Sequence, residues 1–166
     1  MTAKTEKSRR WRAAAAGAAA ALAVGILGGT ITNLGPWYAG LIKPPWQPPD
    51  LVFPIAWTII YALTAASGVL AWLASRDRVW REWVIGLFAL NGFLNLLWSF
   101  LFFRLYRPDW AFFEVFALLA SILVLIVFLW PRTRLGALLL VPYVGWVCFA
   151  AALNWAIIEL NGPFVP

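Results

Sequence analysis

The sequence predicts an all-α membrane protein: a bundle of five transmembrane helices with a proline- and tryptophan-rich loop between helices 1 and 2. First, 63% of the 166 residues are hydrophobic and only 12% are charged, which leaves too little polar surface for a soluble domain of this size. Second, the apolar residues fall into runs of about 20, the length that crosses a bilayer as a helix. Third, the alternating segments of about ten residues that a transmembrane β-barrel requires are missing from the sequence.

The first helix follows a basic tail, residues 1–12, and begins the single domain that we predict over residues 13–166. A basic head before an apolar run is typical of a signal peptide, but no convincing A-x-A cleavage site follows it. The run continues to about Leu34, so we predict an uncleaved transmembrane helix. Small residues recur at a spacing of four and share one face, which favours close approach of another helix: Gly17, Ala21, Gly25 and Gly29. Because alanine is only mildly apolar, we expect this helix to lie inside the bundle.

The next segment, residues 35–50, combines prolines with large aromatic side chains, and we call it the proline-aromatic segment. Its central stretch is Lys43–Pro49, KPPWQPP. Proline fixes φ and lacks an N–H donor, and it pushes the preceding residue towards extended geometry. We therefore predict a stiff extended loop without a helix, lying over the pocket-lining helix that follows it.

The remaining helices are predicted at about residues 51–73, 83–103, 110–130 and 135–160, separated by short charged turns. Short turns make consecutive helices antiparallel neighbours. Pro142 removes one backbone hydrogen bond and should bend the fifth helix.

Five spans distribute the basic residues unevenly. Ten of the 13 Lys and Arg residues fall on the side of the N-terminus, and Lys43, Arg104 and Arg107 fall on the other. The positive-inside rule then places the N-terminus in the cytoplasm and the C-terminus outside, which favours the bacterial inner membrane, with the outer membrane left open. The charge of +6 thus indicates topology and contact with membrane lipid, and not nucleic-acid binding, which needs a basic face on a soluble surface.

Several kinds of chemistry are excluded by composition. The chain has no histidine, which excludes His-based triads, His metal ligands and His axial haem ligation. Its single cysteine, Cys148, excludes an intramolecular disulfide and a Cys-rich metal site. We find neither a general acid–base pair nor an activated nucleophile, so we predict no catalytic residue and no metal.

Polar and aromatic groups at membrane depth are costly and point to function. They are Trp57 and Tyr61 on the second helix, Asn91, Asn95 and Trp98 on one face of the third, and Trp146, Ala150 and Asn154 at a spacing of four on the fifth. From the helical rise, all of them reach the half of the bundle beneath the proline-aromatic segment. They predict an amphipathic pocket with aromatic walls and a few amides. The alternative is structural: asparagines that bond helix to helix, indoles that pack, and Tyr143 as packing.

Several blocks in the same order resemble the TspO/translocator protein family, the tryptophan-rich sensory proteins. The blocks are WYAGLIKPPWQPP (residues 37–49), FPIAWTIIY (53–61), NGFLNLLWSFLFF (91–103), Glu114 and PYVGWVCFAAALNWAIIELN (142–161). The resemblance implies five transmembrane helices, a homodimer, and binding of protoporphyrin IX or a related tetrapyrrole and of hydrophobic drug-like ligands. The ligand-binding positions that it implies are Tyr38, Trp46, Trp57, Asn91, Trp98, Trp146 and Ala150.

From the pocket and the resemblance together, we expect a tetrapyrrole-binding membrane protein with a sensory or regulatory role, the porphyrin being a ligand and not a cofactor. The indoles would contact the ring, Asn91 and Asn95 its polar edges, and Lys43, Arg104 or Arg107 its propionates. Two alternatives stay open: light- and oxygen-dependent degradation of the porphyrin, and transport, which the lack of an inverted repeat disfavours.

The tyrosine and basic residue of the family's sterol segment are missing, because Trp155 follows Asn154 and no Lys or Arg comes later. The resemblance therefore does not predict specific sterol binding.

Overall fold

The computed structural model describes residues 3–164, and within that range the regular structure is entirely helical. The helices are α1 (Ala3–Ile31), α2 (Pro36–Gly40), α3 (Val52–Ala74), α4 (Arg78–Phe103), α5 (Pro108–Leu129), α6 (Arg134–Leu138) and α7 (Val141–Asn161). Four of these helices are long and apolar enough to cross a membrane, and α6 with α7 forms a fifth span, Arg134–Asn161. The prediction of an all-helical protein with five apolar helices long enough to span a membrane is confirmed.

The bundle has a well-packed side and a more open side. Helix α1 packs on α3 and α4, α5 packs on α4 and α7, and α3 reaches α6 and α7. The five spans therefore follow the order one, two, five, four, three around the bundle. The main core lies on the α5 side, where residues one or two turns apart are buried: Val115, Leu118, Ile122, Leu125 and Leu129.

Two helix starts differ from the prediction. Helix α1 already begins at Ala3, so the described part of the predicted basic tail continues the helix. Helix α4 begins at Arg78 and not near Trp83, because Asp77 is an N-cap whose side chain accepts a hydrogen bond from the Val79 N–H at 3.1 Å. The predicted charged turn therefore shrinks to residues 75–77.

The proline-aromatic segment is only partly extended. Residues 36–40 form the one-turn helix α2, contrary to the prediction of a loop without a helix. Pro36 occupies the first turn, where a missing N–H costs nothing and the fixed φ suits the helix. Residues 41–51 contain turns but no helix. Asn161 attaches them to the end of α7, accepting a hydrogen bond from the Ile42 N–H (2.7 Å) and donating one to the Ile42 carbonyl (2.9 Å).

Helix α1 lies at the edge of the bundle, which overturns the expectation that it lies inside. Among its described residues only Gly28 is buried. The predicted close approach through small residues is nevertheless present, since a Cβ built on Gly17 would lie 2.8 Å from Val69 Cγ2 and 3.3 Å from the Ala65 carbonyl oxygen. Alanine side chains allow this approach but are too short to fill the space on either side of the helix. Two cavities therefore flank α1.

The bend predicted in the fifth span takes the form of an interruption. Helix α6 ends at Leu138 and α7 begins at Val141, with Pro142 in its first turn. Beyond the interruption, Tyr143 and Trp146 of α7 meet Trp57 of α3.

Candidate functional site: an aromatic cavity beneath the proline-aromatic segment

The larger cavity, about 1240 Å³, lies between α1, α3, α4 and α7 and beneath the proline-aromatic segment. It exceeds the roughly 300–1,000 Å³ of an ordinary small-molecule pocket. Its wall on α1 consists largely of small residues: Ala14, Ala18, Ala21, Gly25, Gly28 and Gly29. These residues leave the space open because they have little or no side chain to place in it.

Aromatic rings form the opposite wall, and Trp57 is at their centre. Its indole stacks on Tyr61 with ring centroids 5.4 Å apart, and it meets Trp146 edge to face at 6.4 Å and 88°. Phe53, one turn before Trp57, meets Trp146 in the same way at 5.9 Å. Perpendicular and offset contacts are the arrangements that aromatic quadrupoles prefer. The wall is therefore pre-formed, with an open corner between two indoles.

Trp98 is held in place on the α4 side of the cavity. Its indole N–H donates to Asn154 Oδ1 at 3.2 Å, and Asn154 Nδ2 donates in turn to the Pro108 carbonyl at 2.9 Å. Ala150, one turn before Asn154, also lines the cavity. The two amide bonds tie α4, α5 and α7 together and fix the orientation of the Trp98 ring.

Trp146 is different, because its indole N–H has no partner. The Nε1 atom is shielded from solvent and makes no hydrogen bond with any described residue, and the side chain lines the cavity. A buried donor without a partner costs about 1–3 kcal/mol. Because the Nε1 atom has no accessible surface, the indole presents its ring, and not this N–H, to the cavity.

The two asparagines of α4 lie outside the cavity wall. Asn91 Nδ2 donates to Ser121 Oγ at 2.9 Å. Asn95 accepts a hydrogen bond from the Tyr61 hydroxyl at 3.0 Å and donates one to the Tyr143 hydroxyl at 3.1 Å. Their amides thus bond helix to helix, as in the structural alternative. Asn95 still touches the site indirectly, because Tyr61 lines the cavity.

Tyr38 and Trp46 of the proline-aromatic segment occupy different places. Tyr38 lines the cavity and is buried, and its hydroxyl accepts a hydrogen bond from Gln47 Nε2 at 3.3 Å. Burial, with a smaller contribution from the charge of Asp50, raises the pKa of Tyr38, so the phenol stays neutral. Trp46 is half exposed and does not line the cavity. It meets Phe149 at 5.9 Å, and Phe149 in turn contacts Trp146.

The three candidate propionate partners are not equally placed. Lys43 Nζ lies 4.0 Å from the centre of the Tyr38 ring, at the edge of the cavity. Arg104 donates to the Thr30 carbonyl. Arg107 is paired with Asp109, with Nε 2.8 Å from Oδ1, and its guanidinium lies over the Trp110 ring. Lys43 thus lies against the ring of a lining residue, whereas Arg104 and Arg107 bond protein acceptors.

Phe53 lines the cavity but was not predicted to do so, although it precedes Trp57 by one helical turn. Asn154, which the four-residue spacing placed with Trp146 and Ala150, lines the cavity as well. The small residues of α1 have the same spacing, which predicts helix packing alone.

Within residues 3–164, no group of three or more His, Cys, Asp and Glu side chains is placed to hold a metal ion.

Comparisons with known proteins point to one family. Residues 17–160 match the TspO/MBR family. The chain is 38% identical over 145 residues to the tryptophan-rich protein TspO of Archaeoglobus fulgidus, covering 86% of this chain and 92% of that protein. It is 40% identical over 147 residues to the tryptophan-rich protein TspO of Chlorobaculum tepidum, covering 84% and 90%. It is 33% identical over 128 residues to the translocator protein of Ovis aries, covering 75% of each chain.

Proposed function

The chain belongs to the TspO/MBR family of integral membrane proteins, and we propose that its aromatic cavity binds a flat tetrapyrrole such as protoporphyrin IX, with a sensory or regulatory role. The observation that carries the proposal is the convergence of Trp57, Trp98 and Trp146, from three helices, on one cavity of about 1240 Å³. A cavity of that size, walled by indoles and poor in charge, suits a broad, flat, apolar molecule with few polar groups.

The corner between Trp57 and Trp146 suits a planar π-system. The two indoles stand at 88° to each other, so one can stack on a porphyrin face while the other contacts it through an edge. Smaller hydrophobic drug-like ligands would use the same corner and compete with the porphyrin.

The carboxylates of the porphyrin stay near the proline-aromatic segment in this proposal. Lys43 is the first candidate partner, because its ammonium group lies at the edge of the cavity over Tyr38. Arg104 and Arg107 come second, because each must first release a protein acceptor, the Thr30 carbonyl or the Asp109 carboxylate.

The residues outside the wall take supporting roles. Asn95 fixes the Tyr61 hydroxyl, and Asn91 fastens α4 to α5 through Ser121. Trp46 supports the Trp146 ring through Phe149. We propose that these three residues support the packing around the cavity, so that their loss lowers stability more than ligand affinity.

Titration of the purified protein with protoporphyrin IX tests the proposal. We expect saturable quenching of tryptophan fluorescence, and an affinity that falls when Trp57→Phe and Trp146→Phe are combined. Trp130→Phe combined with Trp155→Phe is the matched control, because both indoles are nearly half exposed and neither lines the cavity. Equal affinities for the cavity variant and the control would refute the site, and unsaturable quenching would refute specific binding.

Light- and oxygen-dependent degradation of the bound porphyrin is the second candidate function. The contact between Trp57, Tyr61 and Trp146 favours it, because neighbouring indole and phenol rings can pass an electron to or from an excited ligand. Illumination of the complex in air should then bleach the porphyrin band in the wild type and not in Trp146→Phe. If the porphyrin bleaches equally in both proteins, Trp146 takes no part in degradation and ligand binding remains the proposed function.

A homodimer is the assembly that we propose, through the outer face of α4. Exposed residues follow one stripe at spacings of three and four: Val79, Trp83, Gly86, Leu90 and Phe93. No described side chain lies within 4 Å of a Cβ built on Gly86, so a second helix can approach there. Gly86→Leu should lower the dimeric fraction in chemical crosslinking, and an unchanged fraction would exclude this face.

For orientation, we propose a cytoplasmic N-terminus and an external C-terminus in the inner membrane, because the ends of α1, α3 and α4 on one side carry most of the arginines. A cysteine at position 3 should then resist an impermeant thiol reagent added to intact cells, while one at position 164 reacts. The reverse pattern would invert the topology.

A further inference from the structure

A second cavity of about 1150 Å³ flanks α1 on its other side, between α1, α3 and α4. We call it the α1–α4 groove. Its walls are almost entirely apolar, with Ala16, Ala20 and Val24 on α1 facing Phe88, Ala89 and Gly92 on α4. The proposed porphyrin site uses none of these residues.

One end of the groove is strongly basic. Arg9, Arg12, Arg76 and Arg81 all line it. Among the described residues, the only carboxylate that forms an ion pair with any of them is Glu6, 3.6 Å from Arg9 and 3.9 Å from Arg76. Four guanidinium groups against one carboxylate leave an excess of three positive charges at this end.

The guanidinium of Arg9 is also incompletely satisfied. Its Nε and Nη1 atoms are shielded from solvent and have no hydrogen-bond partner within the described part of the chain. Arg81, by contrast, is held in place, since its Nε donates to the Ser75 carbonyl at 3.1 Å and its guanidinium lies over the Trp72 ring. The basic end therefore combines a fixed arginine with one whose guanidinium is only partly paired.

We propose that the α1–α4 groove binds one anionic phospholipid, with its phosphate among the four arginines and an acyl chain along the alanine face of α1. From Arg12 to Val24 the helix rises about 18 Å, slightly more than one leaflet of a hydrocarbon core that is about 30 Å thick. Basic clusters next to a span attract anionic headgroups, each arginine adding a factor of about five to the affinity. The charge selects the headgroup, and the small residues of α1 and α4 leave room for the chain.

Native mass spectrometry of the full-length protein tests the headgroup, using phosphatidylglycerol against phosphatidylcholine of the same chain length. We expect one phosphatidylglycerol retained per chain, and an affinity about 30-fold lower when Arg9→Gln and Arg12→Gln are combined. Lys7→Gln with Arg78→Gln is the matched control, because it removes the same charge from neighbouring positions that do not line the groove. An equal fall in the control would overturn the proposal in favour of general electrostatic attraction.

A second pair of variants tests the acyl chain and keeps every arginine. Ala20→Phe fills the groove, whereas Ala19→Phe adds the same ring at a position that lines neither cavity. We expect only Ala20→Phe to release the lipid. Two results would overturn the proposal. If Ala20→Phe retains the lipid and inorganic phosphate displaces it, the groove binds a phosphate group without an acyl chain. If Ala20→Phe loses dimers but keeps the lipid, the groove is filled by a second copy of the chain.

Discussion

Helix α5 buries eight of its residues, whereas α1 buries only Gly28 among those described, although both helices cross the same membrane. On the α5 side, side chains interlock and the amide of Asn91 is paired with Ser121, while the amide of Asn95 is paired with tyrosines of α3 and α7. On the α1 side, two cavities open and the Trp146 N–H has no partner. The difference separates stability from binding: one side of the bundle holds the fold, and the other leaves space for ligands.

The largest expected effect on stability comes from the packed side. Leu125→Ala removes a fully buried side chain and should lower the free energy of unfolding by about 2–3 kcal/mol through the cavity it leaves. Ile26→Ala on α1, which is 65% exposed, should change it by less than about 0.5 kcal/mol. Denaturation in a single detergent measures both. Similar losses at the two positions would break the division between the sides.

The next effect concerns the one place where α1 packs closely. Gly17→Ala places a methyl group 2.8 Å from Val69 and 3.3 Å from a backbone oxygen that cannot rotate away, so we expect a loss of about 1–3 kcal/mol. Gly25→Ala is the control, because its nearest neighbour, the Tyr61 ring, lies 3.5 Å away at ordinary contact distance. A larger loss for Gly25→Ala would show that α1 packs elsewhere along its length.

A smaller effect should follow from the paired amides. Asn95→Ala removes two hydrogen bonds, to Tyr61 and Tyr143, and should cost about 1 kcal/mol in stability, because such bonds within a membrane average about 0.6 kcal/mol each. Asn91→Ala removes the single bond to Ser121 and should cost about half as much. A larger loss for Asn91→Ala would point to a role for that amide beyond joining helices.

The sequence predicted the five spans and the meeting of Trp57 with Trp146, because hydropathy, helical rise and four-residue spacing are local properties of the chain. The sequence did not predict which of several possible partners a side chain contacts. Nothing local tells whether Asn91 faces a cavity or Ser121 on another helix. The position of α1 was mistaken because alanine is compatible both with close packing and with an open cavity wall. The start of α4 was mistaken because the N-cap role of Asp77 was overlooked.

The most direct test of the division between the sides is the affinity for protoporphyrin IX in two double variants. Trp57→Phe with Trp146→Phe changes the open wall, and Asn91→Ala with Asn95→Ala changes the paired amides. Lost indole contacts should lower affinity at least about tenfold, and the amide variant should stay within about twofold of wild type while losing stability. A loss of affinity that is larger in the amide variant than in the indole variant would contradict the division between the two sides.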